Sequence, residues 1–491
     1  MDIYEPLCTS VEGLNKICSD TDSSEYVCSR CGNLLQNPGF EAGLSGWDAS
    51  TNVKAMDQNP FEGTQVAQMG PAKAFIFQDI SLVGVERYPL LFSFEVFPGP
   101  NSVKAQGNLI VEVLWLDKYH NPIGLGLRLF IPESAINNKS HITFFDITDS
   151  PSYGAAFARL LFSKSLGKEP EEPDTLQIDQ VILAPVSSKN LVQNPGFQLG
   201  LEGWNAIFTG ASYLLPYEGS GKATTTGKKS AELIQDICIK DYPSHSSFLF
   251  GFAAGSVGAI PLSVQVLWLD EENNPIGEPG IDYFIPKDTL PGQENYLTYL
   301  DLTNRSPKHA VKARIQFTCT SEVETGIDID KVLFAKAACP NLVQNPSFKN
   351  GLDHWSITNT GLEVQDNQAY EGTEEARINS GGGTMFQDIP IFSVSGHCFL
   401  FNFGYFRGVG EQGDLLAEVH WLDKKGDDIG LGLSIIVPKE ATLLGDWLVY
   451  TGITEPVPQG AASARIQFSK THGDPAAGSI YIDKVLFGCL V

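Results

Sequence analysis

The most reactive side chains in this 491-residue chain are its nine cysteines. Four of them, Cys8, Cys18, Cys28 and Cys31, crowd into the first 31 residues. Four thiolates at that density can hold zinc, form local disulfides, or cross-link to another molecule. Only Cys28 and Cys31 have the two-residue spacing of paired zinc ligands. An odd total leaves at least one thiol free or bonded outside the chain. Around them stand Asp2, Glu5, Glu12, Asp20, Asp22 and Glu25, with too few apolar residues for a core. Residues 1–32 are therefore expected to form an arm that docks on, and cross-links to, a neighbouring molecule; a disulfide knot and a zinc site are the competing readings. Farther on, Cys339 and Cys489 are candidates either to bond to each other or to reach partners. Cys238 and Cys319 are a weaker candidate pair, and Cys398 reads as a buried thiol.

A second chemically capable set is polar. Ala158, Leu160 and Phe162 recur as Ala313, Ile315, Phe317 and as Ala464, Ile466, Phe468. With the two-residue period of a strand, these must face a core, so Arg159, Arg314 and Arg465 face away from it. Gln316 and Gln467 share that outer face, which Leu161 interrupts in the first copy. Glu112, Gln265 and Glu418 take the corresponding face of another strand. Arg, Gln and Glu on a concave sheet can hydrogen-bond sugar hydroxyls when an aromatic ring supplies a stacking platform. The competing reading is an Arg–Glu pair across adjacent strands, and it is the stronger one while no solvent-facing aromatic is evident. Catalytic signatures are lacking. The eight histidines have no metal-ligand spacing. Gly219-Ser-Gly-Lys-Ala223 lacks the leading Gly and the Ser or Thr of a phosphate loop, and no Gly-x-Ser-x-Gly occurs. The expectation is a non-enzyme.

The elements that position these residues come in three copies. Asn33-Leu-Leu-Gln-Asn-Pro-Gly-Phe40 returns as Asn190-Leu-Val-Gln-Asn-Pro-Gly-Phe197 and as Asn341-Leu-Val-Gln-Asn-Pro-Ser-Phe348. Phe61-Glu-Gly63, Tyr217-Glu-Gly219 and Tyr370-Glu-Gly372 keep step, as do Gln78-Asp-Ile80, Gln235-Asp-Ile237 and Gln387-Asp-Ile389. Trp115, Trp268 and Trp421 follow, then Ile178-Asp179, Ile329-Asp330 and Ile482-Asp483. A period this long is a whole domain copied in tandem rather than a solenoid unit. The copies span 33–186, 190–338 and 341–491, behind the arm at 1–32. Alternation in Val111, Val113, Trp115 and in Phe248, Phe250, Phe252, with Gly and Pro at the junctions, predicts antiparallel strands with the aromatics inside. The fold class is all-β: three tandem β-sandwiches joined by short linkers.

Composition narrows the partners. With 58 acidic against 33 basic residues the net charge is −25, which argues against nucleic acid as a partner. The most apolar stretch, Phe248 to Leu262, is too short and too broken by Gly and Pro to span a bilayer. The acidic start lacks the pattern of a secretory signal.

The opening Asn-Leu-Val-Gln-Asn-Pro-Gly-Phe motif and the closing Ile-Asp-Lys-Val-Leu-Phe resemble the ends of the β-jelly-roll carbohydrate-binding modules, of galactose-binding-like fold, that accompany bacterial glycanases. The resemblance runs from Asn33 to Val491. It implies a structural calcium where the first and last strands meet, held by the residue after Gly-Phe and the Asp of the closing motif. Carried over, that pair is Glu41 and Asp179 in the first copy, Gln198 with Asp330 in the second, and Lys349 with Asp483 in the third, where an ammonium can replace the ion. The competing reading has these Asp side chains accepting backbone hydrogen bonds. The expected function is the first of two readings, with the second as its alternative. One is a structural subunit of a bacterial surface or spore appendage, filament or coat, self-assembled through disulfides of the arm; resembling spore proteins reach the exterior without an export signal. The other is a multivalent glycan-binding surface protein or adhesin with polysaccharide as partner. Both place the chain on a cell or spore surface.

Overall fold

The computed structural model describes residues 30–99, 107–136, 141–166, 175–225, 230–256, 258, 260–292, 295–320, 326–358, 361–366, 369–391, 396–408, 413–439, 441, 446–470 and 478–491. Cys8, Cys18 and Cys28 lie outside the described residues.

Each copy is a sandwich of two five-stranded antiparallel sheets. In module 1 the strands are β1 (Asp48–Ala49), β2 (Val53–Met56), β3 (Val66–Met69), β4 (Ala74–Ser81), β5 (Leu90–Pro98), β6 (Leu109–Leu116), β7 (Pro122–Ile131), β8 (Ile142–Ile147), β9 (Phe157–Lys164) and β10 (Leu176–Pro185). One sheet has the order β1-β4-β9-β6-β7 and the other β2-β3-β10-β5-β8; modules 2 and 3 repeat both orders. Apart from the paired neighbours β2–β3 and β6–β7, consecutive strands cross from one sheet to the other, the jelly-roll pattern. The opening motif is locked in place identically in each copy. Gln36 N–H donates to Gln78 Oε1 (2.8 Å) and Gln78 Nε2 returns a bond to Gln36 O (3.0 Å); Gln235 and Gln387 do the same for Gln193 and Gln344.

The tryptophans are core, as their strand positions require: Trp115, Trp268 and Trp421 are 1%, 1% and 2% exposed. Each ring lies flat on a bare backbone, because a Cβ at Gly126, Gly280 or Gly432 would fall 2.5–2.6 Å from it. A buried indole in a packed sandwich cannot yield, so Gly126→Ala should cost about 1–3 kcal/mol, a loss that urea denaturation would register.

The two sheets differ in what covers them. Strands β4, β6 and β9 alternate buried with partly exposed residues, as in a sheet with one wet face. Strand β5, Leu-Leu-Phe-Ser-Phe-Glu-Val-Phe-Pro, is buried throughout, and so is its counterpart Ser247–Ser256. One face fills its own sandwich; the other packs on neighbouring modules. Leu91, Ile147 and Ile182 of module 1, Leu249, Leu302 and Leu333 of module 2, and Leu400, Ile453 and Leu486 of module 3 form one shared apolar cluster. The three modules therefore surround a common axis.

The contacts between modules repeat cyclically. Gly219 N–H of module 2 donates to Phe130 O of module 1 (2.7 Å), Gly372 of module 3 to Phe284 O of module 2 (2.7 Å), and Gly63 of module 1 to Ile436 O of module 3 (2.9 Å). Rings stack in the same sense: Tyr217 on Phe144, Tyr370 on Tyr299 and Phe61 on Tyr450, with centroids 4.5, 4.4 and 4.2 Å apart. The glycine bonds engage the edge strand β7 or its counterpart, and the stacked rings cover the edge strand β8 or its counterpart. Two junctions are also joined by the peptide linkers around residues 187–189 and 338–340. The third is joined by a disulfide, Cys31–Cys398.

That bond corrects two expectations. Cys398 is not a free buried thiol, and Cys31 is spent within its own chain. Arg30 Nη1 likewise donates to Ser81 O of module 1 (2.9 Å), so the described end of the arm lies on its own modules. Cys31 is the counterpart of Ser188 and Cys339, each just ahead of the opening Asn; a cysteine there can reach across the axis to Cys398. Cys238 and Cys319 are not a pair, since their register partners Lys312 and Ala231 put them at opposite ends of two adjacent strands.

Candidate functional site

The outer faces of β4, β9, β6 and β7, and of their counterparts, carry the sequence-predicted polar residues. Arg159 Nε and Nη2 donate to Asp79 Oδ1 and Oδ2 at 2.6 and 2.8 Å. Arg314 grips Asp236, and Arg465 grips Asp388, with the same two-point geometry. The arginine partner is thus the Asp of Gln-Asp-Ile on the neighbouring strand, not a Glu. Burial alone would lift Asp79, but Arg159 and His120 hold it below the usual carboxylate range. Hydrogen bonds to the aspartates hold Arg159, Arg314 and Arg465 above the usual arginine value. Glu112 meets Arg128 at 3.6 Å and Glu418 meets His420 at 3.4 Å.

The three faces differ at one patch. Register places Ser263, Gln265, Asp282, Phe284, Gln316 and Thr318 together on module 2. Module 1 has Ile110, Glu112, Arg128, Phe130, Leu161 and Ser163 there, and module 3 has Leu416, Glu418, Ser434, Ile436, Gln467 and Ser469. Only on module 2 are all of these polar apart from the aromatic ring. There they line an open groove with ≈ 740 Å³ of empty volume, joined by Lys349 of module 3. Gln265 Nε2 donates to Asp282 Oδ1 at 2.9 Å, and Gln316 Nε2 to Thr318 Oγ1 at 3.3 Å. Phe284 supplies the solvent-facing aromatic that the sequence did not reveal; it is 43% exposed. Its backbone is fixed by module 3, through Glu371 Oε1 (3.4 Å) and Gly372 N–H. The ring is held at the junction of two modules and left open above.

The residues implied as calcium ligands are placed where the opening and closing motifs meet, and they are met by N–H donors. Asp179 accepts Phe61 N, Glu62 N and Gln180 N at 2.9, 3.1 and 2.8 Å. Glu41 accepts Thr64 N, Thr64 Oγ1 and Gln65 N at 2.8, 2.7 and 2.9 Å. Asp330 and Asp483 hold the equivalent loops. Burial pushes all three aspartates above the usual carboxylate range. Donor hydrogens aimed at these oxygens form a hydrogen-bonded clamp on the Phe/Tyr-Glu-Gly turn. Among the described residues no three His, Cys, Asp or Glu side chains gather as a metal site.

Sequence reasoning passed over the Glu of Phe/Tyr-Glu-Gly, although it is unchanged in all three copies. Glu62, Glu218 and Glu371 each accept a backbone N–H of the neighbouring module at 3.4 Å: Ile436, Phe130 and Phe284. Their surroundings differ. Glu218 has Gln198 at 3.2 Å and Lys331 at 3.5 Å; Glu371 has Lys349 at 2.9 Å. Glu62 lies beside two carboxylates, Glu41 and Asp179, and burial, followed by the like charge of Glu41, pushes it up to about 7. Cys339 and Cys489 are free thiols in contact, Cys489 N–H donating to Cys339 Sγ at 2.8 Å. The hydrogen bond from Cys489 holds the Cys339 thiol below its usual value.

No family model and no curated protein matches the chain. Among solved structures it is similar to the CBM22-1-CBM22-2 tandem domain of Paenibacillus barcinonensis Xyn10C, at 13% identity over 62% of this chain and 99% of that one, with a TM-score of 0.26. It is similar to TmCBM61, solved in complex with β-1,4-galactotriose, at 14% identity over 30% and 99% of the two chains, TM-score 0.25. A third similarity is to the enzymatically active domain of a bacteriophage CBA120 tailspike protein, at 21% identity, TM-score 0.24; it covers 30% of this chain and 21% of that one. The jelly-roll class rests on the strand order described above.

Proposed function

We propose that this chain is a non-catalytic glycan-binding protein whose three modules present their outer sheets in different directions from a closed ring, with module 2 as the main binding face. The observation that carries this reading is the module 2 groove: amide, hydroxyl and carboxylate groups beside an exposed phenyl ring fixed by two modules. Sugars need that combination, since their hydroxyls take hydrogen bonds and their C–H faces stack on aromatic rings. Lys349 at the rim makes the site composite, because it belongs to the following module. The disulfide supports an oxidising setting such as a cell or spore surface.

The expected result of Phe284→Ala is at least about a tenfold loss of affinity for whichever soluble polysaccharide retards the wild-type protein in affinity gels, with the fold retained, because the bonds that hold position 284 are backbone bonds. Gln265→Ala with Gln316→Ala should weaken retention similarly. A wild-type protein that no plant or bacterial polysaccharide retards, or retention that survives all three substitutions, would overturn the proposal.

A further inference from the structure

Because the chain carries the same junction three times, each junction can be judged against the other two. At the junction of modules 2 and 1, Lys331 projects from the closing motif of module 2 to ion-pair with Asp146 of module 1 and to approach Glu218 at 3.5 Å. Burial works against its ammonium, but Asp146 and Glu218 overcome that and push it above the usual lysine value. At the junction of modules 3 and 2, Lys484 likewise pairs with Asp301, while Lys349 holds Glu371. Both lysines and both aspartates are almost fully buried.

At the junction of modules 1 and 3 the counterpart of the lysine is Gln180, and that of the aspartate is Gly452. The pair has been exchanged together, leaving neither a stray lysine nor a stray aspartate. Glu62 nevertheless remains, in the same pose as Glu218 and Glu371, accepting Ile436 N–H at 3.4 Å. Its other oxygen, Oε2, meets no donor among the described residues. The neighbour that donates to its counterparts, Gln198 or Lys349, is here Glu41. Where the lysine side chain would lie, the structure has a recess with ≈ 830 Å³ of empty volume, lined by Glu62, Gln180, Ser434, Thr451 and Gly452 and bordered by the Cys31 disulfide.

We propose that this recess is a binding site for an organic primary ammonium ion, seated where the other two junctions place a lysine side chain. The chemistry follows from the internal comparison. A primary ammonium has three N–H donors in a compact head. Glu62 Oε2 would take one, and the remaining lone pairs of Gln180 Oε1, which accepts Thr451 N–H at 3.4 Å, and of Thr451 Oγ1, which accepts Asn402 Nδ2 at 2.7 Å, the others; the apolar stem would lie in the recess beside them. The site is separate from the outer-sheet groove and does not depend on its ligand.

The test uses the full-length chain, oxidised, at constant ionic strength. n-Butylammonium represents a free alkylamine and D-glucosamine an amino sugar; tetramethylammonium and calcium chloride are the controls. Saturable binding of n-butylammonium or glucosamine is expected by ligand-observed NMR, with a rise in Tm of about 1–2 °C, and the stronger of the two names the source. Glu62→Gln should weaken binding at least tenfold. Gln180→Lys supplies the ammonium in cis and should abolish the response while raising Tm. It should fold, because Gln180, Lys331 and Lys484 share the same left-handed backbone, with φ of 44°, 48° and 54°. Absence of binding by both amines, an equal response to tetramethylammonium or to calcium alone, or a response unchanged in Gln180→Lys would each overturn the proposal.

Discussion

Cys398→Ser, or full reduction of the wild-type chain, is expected to destabilise the folded ring by about 5 kcal/mol. The Cys31–Cys398 bond closes a loop with a sequence separation of 367 residues, and the entropy withheld from an unfolded chain grows with the logarithm of loop length. The bond also does at one junction what the peptide linkers do at the other two. Without it, modules 1 and 3 are held by non-covalent contacts, among them the Phe61–Tyr450 stack, hydrogen bonds such as Gly63–Ile436, Glu62–Ile436 and Tyr450–Phe61, and their share of the axial cluster. Calorimetry of oxidised, reduced and Cys398→Ser protein would check this. Equal transition temperatures in all three would show that the bond adds nothing to stability.

The second large effect belongs to the buried ion pairs. Lys484→Met should cost about 3–5 kcal/mol, because it strands Asp301 as a buried carboxylate without its cation. Asp301 keeps Tyr283 Oη at 2.6 Å and Leu302 N–H at 2.7 Å, but these are dipoles facing a full charge. The double variant Lys484→Met with Asp301→Leu removes both charges and should cost far less than the single one. Chemical denaturation of the single variants and the double variant completes the cycle. A double variant as unstable as Lys484→Met would mean that the pair matters for shape rather than charge. The junction of modules 1 and 3 already shows that the arrangement tolerates removing both partners, since Gln180 and Gly452 stand there.

How much of this was legible beforehand follows from where each signal resides. Trp115, Val113 and Val111 alternate along a strand, so their burial could be read from a two-residue period. Arg159, Arg314 and Arg465 could be assigned to the outer face by the same argument. Their partner could not, because pairing Arg159 with Asp79 rather than a Glu needs the strand order β4-β9, which joins residues 80 apart. Strand β5 carries Ser93 and Glu95 among its apolar residues, so its burial on both faces became visible only with the neighbouring modules in place. Phe284 looked like any other alternating aromatic; its exposure comes from lying on the outer face of an edge strand pinned by the next module. Cys398 carried no sign of its partner, since the three-fold arrangement alone brings it beside Cys31.

The sequence by itself determined the repeating unit: three all-β modules, their core faces, the opening and closing motifs, and the polar outer residues. These are local or periodic properties, fixed by side-chain alternation and turn chemistry within each strand. Only the tertiary structure decided that the modules close into a ring, that the Phe/Tyr-Glu-Gly turn is an intermodule latch, and that one junction of three lacks its cation. Those features depend on which residues far apart in the chain come to share a surface, and on charge balance between modules. A single copy read alone does not contain them.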